Sequence, residues 1–202
     1  MSAMFLDKSK PLYTCKAENC DGCDVSEKLA CHFNIRQLLI FLLMAIPVFL
    51  LAGYFIYQLN PFLLIPWILF IISYFGFIEI RVMCSHCPHY AEQELTSLKC
   101  WANYGSPKFW KYRPGPMSLP EKIVFYSGFI IILSQPIIIA ILQKSYIVLL
   151  IYIVLLATWK WALMILYCSH CINFACPFNN IDSKMRNKFF IKNPSVKEAW
   201  KK

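Results

Sequence analysis

Charge is what this 202-residue chain has least of. Asp, Glu, Lys and Arg together make up 15% of it, against about 25% in a soluble domain. The shortage is not spread evenly. No charged side chain lies between Arg36 and Glu79 or between Lys122 and Lys144, and between Lys144 and Asp182 the sole charge is Lys160. Such gaps exclude a water-soluble globular domain, because a bilayer core of about 30 Å is crossed by roughly 20 apolar residues. Glycine is scarce too, at six residues, and no phosphate-cradling loop, G-x-S-x-G or H-E-x-x-H occurs, which excludes the commonest nucleotide, hydrolase and metalloprotease sites. The four histidines, His32, His86, His89 and His170, all fall outside the apolar segments, so a bis-histidine haem within the membrane is excluded. The first 35 residues lack an early apolar run and carry nine charges from Asp7 to Lys28 among four cysteines, so they do not read as a removable signal peptide.

What is present is apolar: 58% of residues are hydrophobic and the mean hydropathy is +0.51. Four segments stand out, from about Arg36 to Leu59, from about Pro61 to Ile80, from Ile123 to Leu142 and from Tyr146 to Tyr167. Asn60-Pro61 makes the first two a tight hairpin, and Gln143-Lys144-Ser145 joins the last two. The expected fold is an all-α integral membrane protein of four transmembrane helices in two hairpins. It divides into a Cys-rich segment (1–35), a first hairpin (36–80), a Cys-rich and basic-aromatic loop (81–122), a second hairpin (123–167) and a Cys-rich basic tail (168–202). Prolines 47, 66 and 136 fall inside spans, where neighbouring groups re-satisfy the freed carbonyls.

Two short turns on one side put every longer segment on the other. That side carries 18 of the 20 basic residues, and the opposite side has Lys144 alone. Basic residues near span ends favour the cytosol, so both termini of a cell-membrane protein are expected there. The net charge of +9 then suits anionic lipid and not nucleic acid, for which no basic module remains.

Each hairpin ends in the same tetrapeptide, Cys84-Ser85-His86-Cys87 and Cys168-Ser169-His170-Cys171. This reads as an internal repeat related by an axis along the membrane normal. The ten cysteines form three groups: Cys15, Cys20, Cys23 and Cys31; Cys84, Cys87 and Cys100; Cys168, Cys171 and Cys176. Cytosolic thiols stay reduced, so such grouping points to metal or catalysis and not to disulfides. Cys-x-x-Cys occurs three times, and two such pairs make a four-sulfur site for iron or zinc. Cys15-x4-Cys20-x2-Cys23 is similar to plant-type ferredoxin ligands in local spacing, and Cys168-x2-Cys171-x4-Cys176-Pro177 resembles the bacterial cluster run. Cys87-Pro88 gives a second Cys-Pro. Zinc fits the same spacings, with His86, His170 or His32 completing mixed sites. The N-terminal four cysteines are expected to form one site, and Cys84, Cys87, Cys168 and Cys171 another, with Cys100 and Cys176 as alternates.

The functional expectation is a membrane-anchored redox protein that passes electrons through cytosolic iron–sulfur centres to a membrane partner or quinone, with a soluble or membrane protein as redox partner. Two alternatives stay open: a lipid- or thiol-modifying enzyme with structural zinc, and a metal-handling or assembly protein. The loop from Tyr104 to Pro116 interleaves rings with Lys108, Lys111 and Arg113, which reads as an interfacial segment gripping lipid headgroups. Lys160, between Trp159 and Trp161, reads either as functional or as a snorkelling side chain. Glu79 sits at the end of the second span.

Overall fold

A computed structural model describes residues 8–92 and 95–201. Four helices are long and apolar enough to cross a membrane: α1 (Ile35–Leu59), α2 (Pro61–His86), α3 (Leu119–Leu142) and α4 (Tyr146–Cys168). Two shorter helices, α5 (Ser183–Lys192) and α6 (Pro194–Ala199), follow. Among the described residues there is no strand, and the only pairing of that kind is an isolated bridge between Ser97 and Pro107.

Local chemistry fixes where the spans start and stop. The Asn34 side chain accepts from the Arg36 amide at 3.0 Å and opens α1. Asn60 ends α1, and its side chain accepts from the Phe62 amide at 3.0 Å, so one residue closes one helix and caps the next. In α3 a capping box places the Glu121 carboxylate 2.8 Å from the Ser118 amide, with Pro120 in the first turn. The turn after α3 needs a left-handed residue, which Lys144 supplies at φ 56. The Ser145 amide donates to Ala140 O at 3.0 Å across it.

The end of the bundle nearest these two turns is packed solid. Val48, Ala52, Phe55, Trp67, Ala140 and Tyr152 form one buried cluster there. Without a hydrophobic drive between helices in lipid, small residues decide which helices approach closely. Gly128 is the clearest case: the Tyr74 ring of α2 lies on it, and Tyr74 Oη donates to Phe125 O at 2.5 Å.

At the other end three segments dock on one another. Thr14 Oγ1 donates to Asn193 Oδ1 at 2.7 Å, and the Lys16 amide to Lys192 O at 3.0 Å. The Ala30 amide donates to His170 O at 2.8 Å, while His89 Nε2 donates to Ala30 O at 3.0 Å. Beneath these bonds Val25, Leu29, Ile172, Phe174, Phe189 and Phe190 form a core outside the spans.

The helices differ from expectation at three places. α2 continues past Ile80 to His86, which carries the first Cys-Ser-His into the helix end. Glu79 does not stop it, because Asn103 donates to both carboxylate oxygens at 3.4 and 3.1 Å and satisfies the charge inside the protein. α3 starts four residues earlier than Ile123, at Leu119, through its capping box. The tail is helical over α5 and α6, with Asp182 accepting from the Met185 amide at 2.8 Å.

Candidate functional site

All ten cysteines are free thiols, four of them buried: Cys31, Cys84, Cys87 and Cys168. They gather into two neighbourhoods at one end of the bundle. Cys15, Cys20, Cys23 and Cys31 form the first. Burial pushes the Cys31 thiol up to about 12, and the sulfurs of Cys20, Cys23 and Cys15 push the same way. That mutual effect requires the four to be close.

The second neighbourhood holds the other six, which all line one cavity of about 630 Å³. Burial raises the Cys87 and Cys171 thiols well above the ordinary value, and nearby Cys100 and Cys176 raise both further. The two Cys-Ser-His-Cys stretches, one closing α2 and one following α4, are thereby brought to a single site. Asn173 ties them together by donating from Nδ2 to Met83 O at 3.2 Å. Asn179 braces the second stretch, donating to Cys171 O at 2.7 Å and to Asn173 O at 3.1 Å.

The backbone around the sulfurs is arranged in a recurring way. Burial works to raise Cys23, yet the amides of Ser26 and Val25 face its sulfur and bring the thiol below its ordinary value. Burial dominates at Cys100 and at Cys176, which is pushed up to about 12. There too the amides of Ala102 and Asn103, and of Phe178, lie near the sulfur, whereas the Asn179 amide donates to Cys176 O at 3.0 Å. The His89 amide does the same for Cys87, and the Asn173 amide for Cys171. In each case the donor lies two or three residues after the cysteine. An amide aimed at sulfur favours thiolate over thiol, and hydrogen bonds to sulfur set the potential of thiolate-held clusters. The side chain of Asn103 adds a donor to Cys84 Sγ at 3.2 Å.

Histidine is used differently. His86 Nδ1 donates to Gly115 O at 3.1 Å, and its Nε2 lies 3.1 Å from Arg113 Nη2, so both nitrogens have protein partners. His32 Nε2 donates to Lys10 O at 2.8 Å, and His170 Nδ1 meets Ser169 Oγ at 2.8 Å. As the side chains stand, no three His, Cys, Asp or Glu among the described residues are grouped so as to hold a metal ion.

The basic residues of the aromatic loop part company. Arg113 turns inward, with Nη1 2.6 Å from Glu121 Oε1 and Nη2 donating to Arg81 O at 2.7 Å and Ser85 Oγ at 3.1 Å. Lys108 and Lys111 line a separate hollow with Tyr90, Trp110 and Tyr112. There Lys108 donates to Glu92 O, and burial lowers its ammonium to about 8. Lys160 stands in the wall of the thiol-lined cavity together with Trp159.

Two features escaped the sequence reading. One is the cavity itself, which needs the relative placement of all four spans. The other is Asn103, an unremarked residue of the loop that serves both Glu79 and Cys84. Its position three residues after Cys100 is the one signal a reader could have used.

Compared with models of protein families, with curated proteins and with solved structures, the chain matches none of them.

Proposed function

We propose that this chain is a membrane-anchored redox protein that holds iron–sulfur centres on cysteine thiolates and passes electrons to an acceptor in the membrane. The observation that carries the reading is the gathering of six thiols, those of Cys84, Cys87, Cys100, Cys168, Cys171 and Cys176, around one cavity, with nearby backbone amides favouring the thiolate at Cys23, Cys87, Cys100, Cys171 and Cys176. A packing cysteine has no use for such donors, whereas a thiolate ligand does. Cys15, Cys20, Cys23 and Cys31 would hold one centre. Cys84, Cys87, Cys168 and Cys171 would hold the other, with Cys100 and Cys176 in the same cavity wall as further ligands. Such a centre supplies one-electron transfer, and the chain supplies the ligands, the hydrogen bonds to sulfur and the fixed distance to the bilayer. The two Cys-Ser-His-Cys stretches support an internal repeat, and each follows a span containing one wide helical turn, Tyr74–Ile78 in α2 and Met164–Cys168 in α4.

Anaerobically purified protein is expected to be brown and to contain iron and acid-labile sulfide. Cys84→Ser and Cys168→Ser should each remove the same equivalent, with no further loss in the double variant, while Cys20→Ser removes a different one. Stoichiometric zinc in a colourless, EPR-silent protein would replace this reading with the structural-zinc enzyme.

The basic residues support a cytosolic thiol end, and labelling tests that orientation in intact cells. A membrane-impermeant maleimide should leave Cys20, which is half-buried in the N-terminal segment, unmodified until the membrane is opened. Modification of Cys20 from outside would reverse the topology and favour disulfide chemistry.

A further inference from the structure

We propose that the cavity between the four spanning helices is a binding site for a lipid-soluble quinone, which reaches it from the bilayer and rests its ring against the thiol end. This rests on the redox reading above and names its acceptor. At about 630 Å³ the cavity falls within the ordinary range of small-molecule sites. It has room for a ring head and the first prenyl units.

Its wall changes character along its length. Phe41 and Phe49 of α1, Phe75 of α2, and Phe125 and Phe129 of α3 give it aromatic sides, suited to a flat ring. Leu42 and Ile46 of α1 and Lys160 of α4 belong to the same wall and are exposed on the flank that faces lipid. These exposed lining residues place one edge of the cavity at the outer surface of the bundle, where an apolar tail can lie.

The thiol end is polar in a particular manner. Asn173, 5% exposed, presents a buried Oδ1 with no hydrogen-bond partner. The indole N–H of Trp159, in the same wall, is likewise buried without a partner. A neutral ring with carbonyl oxygens, which become hydroxyls on reduction, uses both donors and acceptors of this kind. The groups left without a partner in this wall, the Asn173 carbonyl oxygen and the Trp159 indole, are neutral and suit an uncharged ring better than a charged headgroup. This argument selects a quinone over a phospholipid. In the step it implies, one quinone takes two electrons, one at a time, and two protons to become a quinol. The electrons would come from a reduced soluble one-electron carrier, by way of a centre held on the cysteines at the thiol end. The protons come from water on the thiol side.

The test titrates full-length protein in nanodiscs with a short-chain naphthoquinone, following tryptophan fluorescence on metal-free and as-purified samples alike. Trp101 and Trp159 both line the cavity, so a bound quinone should quench with a saturable profile. Leu156→Phe narrows the wall, and Trp159→Phe removes an indole N–H that has no protein partner while leaving Trp101 as the reporter. Each is expected to weaken binding at least tenfold with circular dichroism unchanged. Equal saturable binding in all three proteins, quenching that only rises linearly as a solute partitions into lipid, or retention of a phospholipid in the cavity by native mass spectrometry would overturn the proposal. Colourless protein that still binds with the expected variant pattern would sink the redox reading and leave this site standing. Brown protein that fails to bind would do the reverse.

Discussion

Gly128→Ala is expected to abolish stable folding. A β-carbon at that position would lie 1.8 Å from Cε2 and 2.3 Å from Cζ of Tyr74, far inside any real contact. The ring has little freedom to retreat. It is fully buried, its hydroxyl is held by Phe125 O at 2.5 Å, and Phe75 and Phe129 pack edge-on to it at 5.1 and 5.8 Å. Overpacking in a tight core costs about 1–3 kcal/mol. Here α2 and α3 must separate, so the loss should be at least about 3 kcal/mol. Accumulation in the membrane and thermal melting in detergent measure it. Tyr74→Ala in the same chain should recover part of the loss, since the two residues share one contact. A single variant that melts with the parent protein would show that the two helices are not packed this way.

Arg113→Ala is expected to be the next most damaging change. The guanidinium makes the closest links among four groups: Glu121 at the start of α3, Arg81 O near the end of α2, and the Ser85 hydroxyl and His86 ring of the first Cys-Ser-His-Cys stretch. Without it Glu121 keeps only the longer contacts with Arg81 and His86, both at 3.5 Å. Truncation leaves the Glu121 side chain, 15% exposed, short of its nearest cation. Arg113 is itself 32% exposed, which moderates the loss to about 2–3 kcal/mol. That corresponds to a fall of roughly 5–10 °C in Tm for a chain of this size. Arg113→Lys should recover little, because one ammonium cannot make a planar fork of bonds. The headgroup role suggested by the loop's composition leads to the opposite outcome, an unchanged Tm with altered dependence on anionic lipid.

What the sequence makes legible is whatever depends on local pattern. The spans follow from charge-free length, and Asn60-Pro61 and Gln143-Lys144-Ser145 mark their turns. What stays hidden depends on partners distant in the chain. The end of α2 could not be placed because a carboxylate at Glu79 looks like a terminus until Asn103 is seen to cover it. The basic-aromatic loop reads as a single surface because composition does not say which way a side chain turns. Arg113 faces the protein, whereas Lys111 is exposed. The grouping of six cysteines around one cavity was half visible. The duplicated tetrapeptide pairs four of them, but the membership of Cys100 and Cys176 depends on how the loops fold back. In α5, Phe189 and Phe190 carry the only strong apolar signal among charged neighbours, too short a pattern to announce a buried face.

The position of Ala30 has a consequence for how the protein is made. Its amide is held by the carbonyl of His170 and its own carbonyl by the ring of His89. A ribosome delivers residue 30 long before residue 170. The first cysteine segment to leave the exit tunnel therefore has nothing to dock on until all four spans have been inserted. Through synthesis it waits without its docking partners, and it closes against the bundle last. The N-terminal thiols are thus left undocked throughout translation, whereas the six at the bundle come together only when the second hairpin is complete.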